Sequence, residues 1–165
     1  MKSKTSEWFE TKVRLDKTQE DGTQKKVTEQ YVVEALSFTE AEAKIIAEIK
    51  RYASGDFDVK NITPTSYHEI FFSENEKDDK WYKAKLQFIT IDEKTEKEKH
   101  QTVYYLVQGN STESAQKNIQ EVMSGTTIDY TIVSIVETNI LDVFEHEAGK
   151  SVSETGSNKT IDEFE

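Results

Sequence analysis

The chain of 165 residues contains no cysteine, one proline and six glycines. Without cysteine there can be no disulfide, no thiolate metal site and no cysteine nucleophile, and the absence fits a reducing compartment. Six glycines scattered singly leave no loop able to wrap a phosphate, which argues against P-loop and dinucleotide-binding folds. No Gly-x-Ser-x-Gly elbow of a serine hydrolase is present. No apolar run approaches the roughly 20 residues a membrane helix requires. The opening MKSKTSEWFE lacks the apolar stretch of a secretory signal. The expectation is a cytoplasmic protein with no membrane partner, in which the sequons at Asn61 and Asn110 carry no sugar.

Twenty-one basic residues face 32 acidic ones, a formal charge of −11. Such a chain is poorly suited to duplex DNA, RNA helices or anionic membranes as extended partners, although one face can still be locally basic. The three histidines, His68, His100 and His146, stand at no mutual metal-ligand spacing. Asp16 and Asp21-Gly22 lack the spacing and the closing Glu of a calcium loop, and read as a hairpin turn. Carboxylate pairs in so acidic a chain identify no general acid and base. The composition therefore points to a non-catalytic binding protein, with no metal and no cofactor.

What is present is a repeat. Glu7–Leu15 (EWFETKVRL) and Lys80–Phe88 (KWYKAKLQF) share one plan, and Trp8 and Trp81 lie 73 residues apart. The same offset relates Lys12 to Lys85, Lys26 to Lys99, Tyr31 to Tyr104, Thr65 to Thr138 and Phe71 to Phe144. This reads as a tandem duplication of a unit of about seventy residues. Strict alternation makes Glu7–Leu15 a half-buried strand, with Phe9, Val13 and Leu15 inward. The return strand Lys26–Ala35 turns Tyr31, Val33 and Ala35 inward. Ser37-x-x-Glu40 caps a helix whose stripe is Ile45, Ile46, Ile49 and Tyr52, ended by Gly55. A third strand, Phe57–Thr63, stops at Pro64.

The second copy follows at the same offset. Tyr82, Ala84, Leu86 and Phe88, then Tyr104 and Leu106, are expected inward. Asn110 is expected to cap a helix striped by Ala115, Ile119, Val122 and Met123 and ended by Gly125. Ile128–Val136 is the last strand. Segments 67–72 and 140–144 add apolar patches whose type the pattern leaves open. The expected fold is α+β: two β-β-α-β units joining their strands in a mixed sheet, with both helices on one face. A single pseudo-symmetric domain would span 1–148, with repeats at about 6–72 and 79–145. Residues 149–165, rich in Ser, Gly, Glu and Lys and without periodicity, read as a disordered acidic tail.

SEWFETKVRLDKTQEDG, KKVTEQYVVEALSFTEAEAK and KWYKAKLQFITIDEK resemble an uncharacterised family of the Bacteroidetes and their phages, a domain of unknown function, over about Ser6 to Phe144. The resemblance implies a bacterial or phage cytoplasmic protein and carries no catalytic or binding residues.

The candidate site is the outward face of the paired strands. Trp8, Lys12, Arg14 and Lys26 are expected there in the first copy. Trp81, Lys83, Lys85, Lys99 and Tyr105 are expected in the second. Aromatics among lysines on an open sheet form the kind of surface on which single-stranded bases stack while ammonium groups follow phosphates. The tip Ile161-Asp162-Glu163-Phe164 is similar to the partner-recruiting tails of single-strand-binding proteins, which would make replication proteins partners. The same face serves equally as a protein interface, in a homodimer or in a homo-oligomeric adaptor or regulator. An acidic inhibitor mimicking DNA is the third reading.

Overall fold

The computed structural model of the chain describes residues 7–146. The expected tail, with Ile161, Asp162, Glu163 and Phe164, lies outside the described residues. Eight strands and two helices follow in the order β1 (Glu7–Thr18), β2 (Gln24–Ala35), α1 (Phe38–Lys50), β3 (Phe57–Pro64), β4 (Tyr67–Phe71), β5 (Lys80–Ile91), β6 (Glu98–Gly109), α2 (Thr112–Met123), β7 (Asp129–Glu137) and β8 (Ile140–Phe144). The fold is α+β, as expected, but the strands form two sheets rather than one. Their orders are β3-β1-β2-β8 and β4-β6-β5-β7. The chain divides into two compact units, one of residues up to Thr65 and from Asp142 on, the other of Ser66–Leu141. The two stretches that periodicity leaves open are the strands β4 and β8, and each joins the sheet of the other repeat. The packed units therefore do not follow the boundaries expected from the 73-residue offset.

Each unit builds its core between one helix and one sheet face. In the first, Phe9, Val13, Leu15, Tyr31 and Val33 meet Ala41, Ile45 and Ile49 of α1, with Phe144 stacked on Tyr31 at 5.7 Å. In the second, Ala84, Leu86, Phe88, Val103, Tyr105 and Val107 meet Ile119 and Met123 of α2. Each fully buried apolar side chain of this size stabilises the fold by about 1.5–3 kcal/mol. Tyr52 and Val122, expected in the helix stripes, are instead 66% and 38% exposed.

The turns follow from local chemistry. Gly22 takes φ 88°, and Asp21 Oδ1 accepts from Thr23 N at 3.0 Å and Thr23 Oγ1 at 2.6 Å, closing the first hairpin where Asp-Gly predicts it. Ser37 caps α1, its Oγ accepting from Glu40 N at 3.1 Å. The helix ends at Arg51, ahead of Gly55. The cap of α2 is Ser111, not Asn110, in a reciprocal box with Ser114.

That shift by one residue is systematic. The offset between halves is 73 from β1 to β5 and from β4 to β8, but 74 from β2 to β6 and from α1 to α2. The second hairpin connection, Asp92–Lys97, is one residue longer than the first, Gln19–Thr23. Equivalent residues here are Tyr31 and Tyr105, Val33 and Val107, Ser37 and Ser111, Ile45 and Ile119. The register returns to 73 in β3 and β7, where each strand bulges at the same place. Lys60 is the extra residue in β3, opposite Lys12 and Val13, and Val133 is the extra residue in β7, opposite Lys85 and Leu86. Because side chains alternate with period two, one added residue exchanges the two faces of β6. Val103 and Tyr105 are therefore core residues, while Tyr104 lies on the other face.

The core tyrosines give the fold an alkaline limit. Burial, then the hydrogen bond to Glu29 (2.8 Å), pushes the Tyr31 phenol well above the usual tyrosine range, and burial raises Tyr105 as well. The folded chain keeps these protons at a pH where the unfolded chain, with ordinary tyrosines titrating at about 10, has lost them. Their contribution is fully present below that pH and is lost as the pH rises through and beyond it. Tyr31→Phe should flatten the alkaline loss of stability, as followed by urea melts across that range. An unchanged slope would refute the assignment.

Candidate nucleic-acid interface

The sheet face turned away from α2 is assembled by cross-strand register. Trp81, Lys83, Lys85 and Gln87 of β5 stand opposite Gln108, Leu106, Tyr104 and Thr102 of β6. On the other side Lys83 and Lys85 meet Val136 and Ser134 of β7, and Gln87 meets Thr131. The two ends of this face differ. Trp81 is 1% exposed and Leu106 is fully buried. From there outward the face opens: Lys83, Thr102, Ser134 and Thr131 are exposed, and Lys85, Gln87 and Tyr104 half-buried. Lys83 Nζ sits 4.8 Å from the centre of the Tyr104 ring, a cation–π contact worth about 0.5–1 kcal/mol at an exposed site. His100 Nδ1 lies 3.1 Å from Gln87 Oε1. On β5, β6 and β7 this open face carries no carboxylate until Glu98 and Asp129, at its far end.

The corresponding face of the first unit has another character. Trp8, Lys12 and Arg14 stand opposite Glu34, Gln30 and Thr28, and Lys26 opposite Asp16. Lys26 Nζ lies 3.4 Å from Asp16 Oδ1, and Arg14 pairs in register with Asp58. With Glu10 also on this face, positive and negative side chains alternate. Trp8 is half-buried and Glu34 is 4% exposed.

Of the residues the sequence places on an open face, Lys12, Arg14, Lys26 and Lys83 are exposed there, with Lys85 and Trp8 half-buried. Three depart from expectation. Trp81 is buried rather than available for stacking. Tyr105, 4% exposed, belongs to the core, parallel to His68 at 5.7 Å and edge-on to Phe71 and Phe88. Lys99 is on the helix side of its sheet, opposite Thr90, with its Nζ 3.4 Å from Asp92 Oδ2. The aromatic residue that does lie open beside the lysines is Tyr104, which the repeat offset assigns to the core. The signal that could have found it is the extra residue in the Asp92–Lys97 turn.

Residues 7–146 match a family described as a domain of unknown function (DUF4494). The chain belongs to this family. No curated protein matches it. The family match covers the same residues as the described structure, so both sheets and both helices are parts of the DUF4494 domain.

This domain also has a groove beside each helix. In the second unit a groove of about 690 Å³ is lined by Phe72, Ser73, Asp78, Asn110, Lys117 and Asn118, among others. Asp78, 5% exposed, accepts from Ser73 Oγ at 2.5 Å, Asn110 Nδ2 at 2.9 Å and Asn118 Nδ2 at 3.2 Å. Asn118 Nδ2 also donates to the Gln108 carbonyl at 2.8 Å, which fixes the amide. Gly109 lies so close to α2 that a Cβ there would come within 3.1 Å of Ala115 N. In the first unit a groove of about 260 Å³ lies beside Lys44, Glu48, Arg51 and His146. The two grooves are equivalent by register: Ser73 N donates to Gln108 Oε1 at 2.8 Å, and His146 N to Glu34 Oε1 at 2.9 Å. Among the described residues no group of three or more His, Cys, Asp or Glu is placed to hold a metal. No described helix is long and apolar enough to cross a membrane.

Proposed function

We propose that the protein binds single-stranded nucleic acid through the open face of its second unit, as a non-enzymatic protein of a bacterial or phage cytoplasm. The observation that carries this reading is the grouping of Lys83, Lys85 and Tyr104 on one open surface whose strands β5, β6 and β7 hold carboxylates only at the far end. Tyr104 supplies a face for a base and the two ammonium groups follow the phosphates, with Gln87, Thr102 and Ser134 as adaptable hydrogen-bonding neighbours. The alternating charges around Lys12, Arg14 and Lys26 suit the first unit to a lesser part. They also disfavour a DNA mimic, which needs carboxylates gathered on one face. The segment Ile161–Phe164 would recruit a protein partner.

The test is binding of fluorescent oligo-dT at two salt concentrations. Tyr104→Ala should weaken binding by about 1–3 kcal/mol, the worth of one base–aromatic stack. Replacing Lys83 and Lys85 with Gln should lower affinity and reduce the slope of log K against log salt by about 0.7 for each phosphate no longer neutralised. Wild-type protein that shows no oligo-dT binding at low salt sinks the proposal.

A further inference from the structure

The outer strands β3 and β7 occupy equivalent edges of the two sheets and carry the same bulge, yet only one is defended. In β3 the bulged residue is Lys60, 3.8 Å from Asp58, and the strand closes on Pro64. A charged bulge and a proline are the devices by which sheets prevent further strands from adding. In β7 the bulged residue is Val133, 50% exposed, and Val136 is 58% exposed. From Tyr130 to Val136 the strand has no charge at all. An exposed, uncharged edge rich in Val and Ile is a surface made to take another strand.

We infer that β7 pairs antiparallel with β7 of a second copy of this chain. The sequence of the strand is self-complementary in one register. Setting Ile132 of one copy opposite Ile135 of the other also sets Thr131 opposite Val136 and Tyr130 opposite Glu137. Because the bulge at Val133 shifts the alternation, this register matches face with face. Tyr130, Ile132 and Ile135 are the residues packed toward the α2 core, while Thr131, Ser134 and Val136 share the face of Lys83 and Lys85. The alternative that sets Val133 opposite itself would place Asp129 against Glu137, like charges directly opposed, and mix the two faces. In the favoured register the open faces of both copies lie on one side of the enlarged sheet. The pairing itself does not depend on nucleic-acid binding.

Sedimentation equilibrium of the wild-type chain should show a dimer. Val133→Lys imports the residue that β3 carries at the same place. It and Val136→Lys should each raise the dimer dissociation constant by about tenfold or more, since two-fold symmetry introduces two charges. Both positions are exposed, so circular dichroism should be unchanged, as should melting at concentrations low enough that the wild type is also monomeric. In this cysteine-free chain, Thr131→Cys mixed with Val136→Cys should form a disulfide-linked pair, and neither variant alone should do so. A wild-type protein that stays monomeric overturns the inference. So does a dimer indifferent to both lysines, or one that gives no mixed cross-link.

Discussion

Trp81→Ala should destabilise the protein by about 3–5 kcal/mol, the range for deleting a fully buried large aromatic side chain. Trp81 is 1% exposed and is among the largest fully buried side chains. Phe72 meets it edge-on, with ring centroids 5.3 Å apart and planes at 86°. Alanine would leave a void that the surrounding strands can close only in part. Trp8, at the equivalent place in the first sheet, is half-buried, and Trp8→Ala should cost about 1 kcal/mol. The backbone roles of the two positions are alike: Trp8 O accepts from Thr65 N at 2.9 Å and Trp81 O from Thr138 N at 2.9 Å. Trp81 O also accepts from Thr138 Oγ1 at 2.8 Å, but both variants keep the backbone, so the comparison reads side-chain burial. Urea denaturation of both variants measures it, and equal losses would show that the burial of Trp81 does not carry the predicted energy.

The same pair of tryptophans marks what alternation can and cannot disclose. Period two in EWFETKVRL and KWYKAKLQF sorts side chains correctly onto two faces, and Phe9, Val13, Ala84 and Leu86 are core residues as read. It does not say what covers the second face. Nothing local separates buried Trp81 from half-buried Trp8, since each is followed by an aromatic residue and flanked by charged ones, Glu7 and Glu10 in the first and Lys80 and Lys83 in the second. Capping chemistry is legible at Ser37 because the side chain acts within one turn. At α2 the pattern reads one residue early, because an offset of 73 is carried through a turn with an extra residue. Tyr104 and Tyr105 exchange roles for the same reason. Strands β4 and β8 are ambiguous because five residues are too few for periodicity to choose between strand and helix. Their partners lie in the sheet of the other repeat, and no local signal names a distant partner.

Asp78 is the position where the sequence is least informative and the structure most specific. It stands in a polar, mostly charged run, Glu74 to Lys80, any residue of which reads as solvated. Of these only Asp78 is buried, and its carboxylate gathers three side-chain donors from Ser73, Asn110 and Asn118. These donors join the loop after β4 to the residues leading into α2 and to the middle of that helix, so the carboxylate works as a clasp. Asp78→Ala should cost about 2–4 kcal/mol, because hydrogen bonds to a charged group disappear and the donors are left partly unsatisfied in the groove. Asp78→Asn keeps the shape and one accepting oxygen, and should cost less than half as much. Its oxygen can stay toward Ser73 and Asn118, whose amide is fixed by the Gln108 carbonyl, while its nitrogen faces Asn110, whose amide must turn over to accept. Hydrogen exchange should localise the change: amides of Ser73, Asn75 and Lys77 should lose protection first, ahead of β5 and β6. If both variants melt with the wild type, or if the Asn variant is as damaged as the Ala variant, the carboxylate is not what holds this loop to α2.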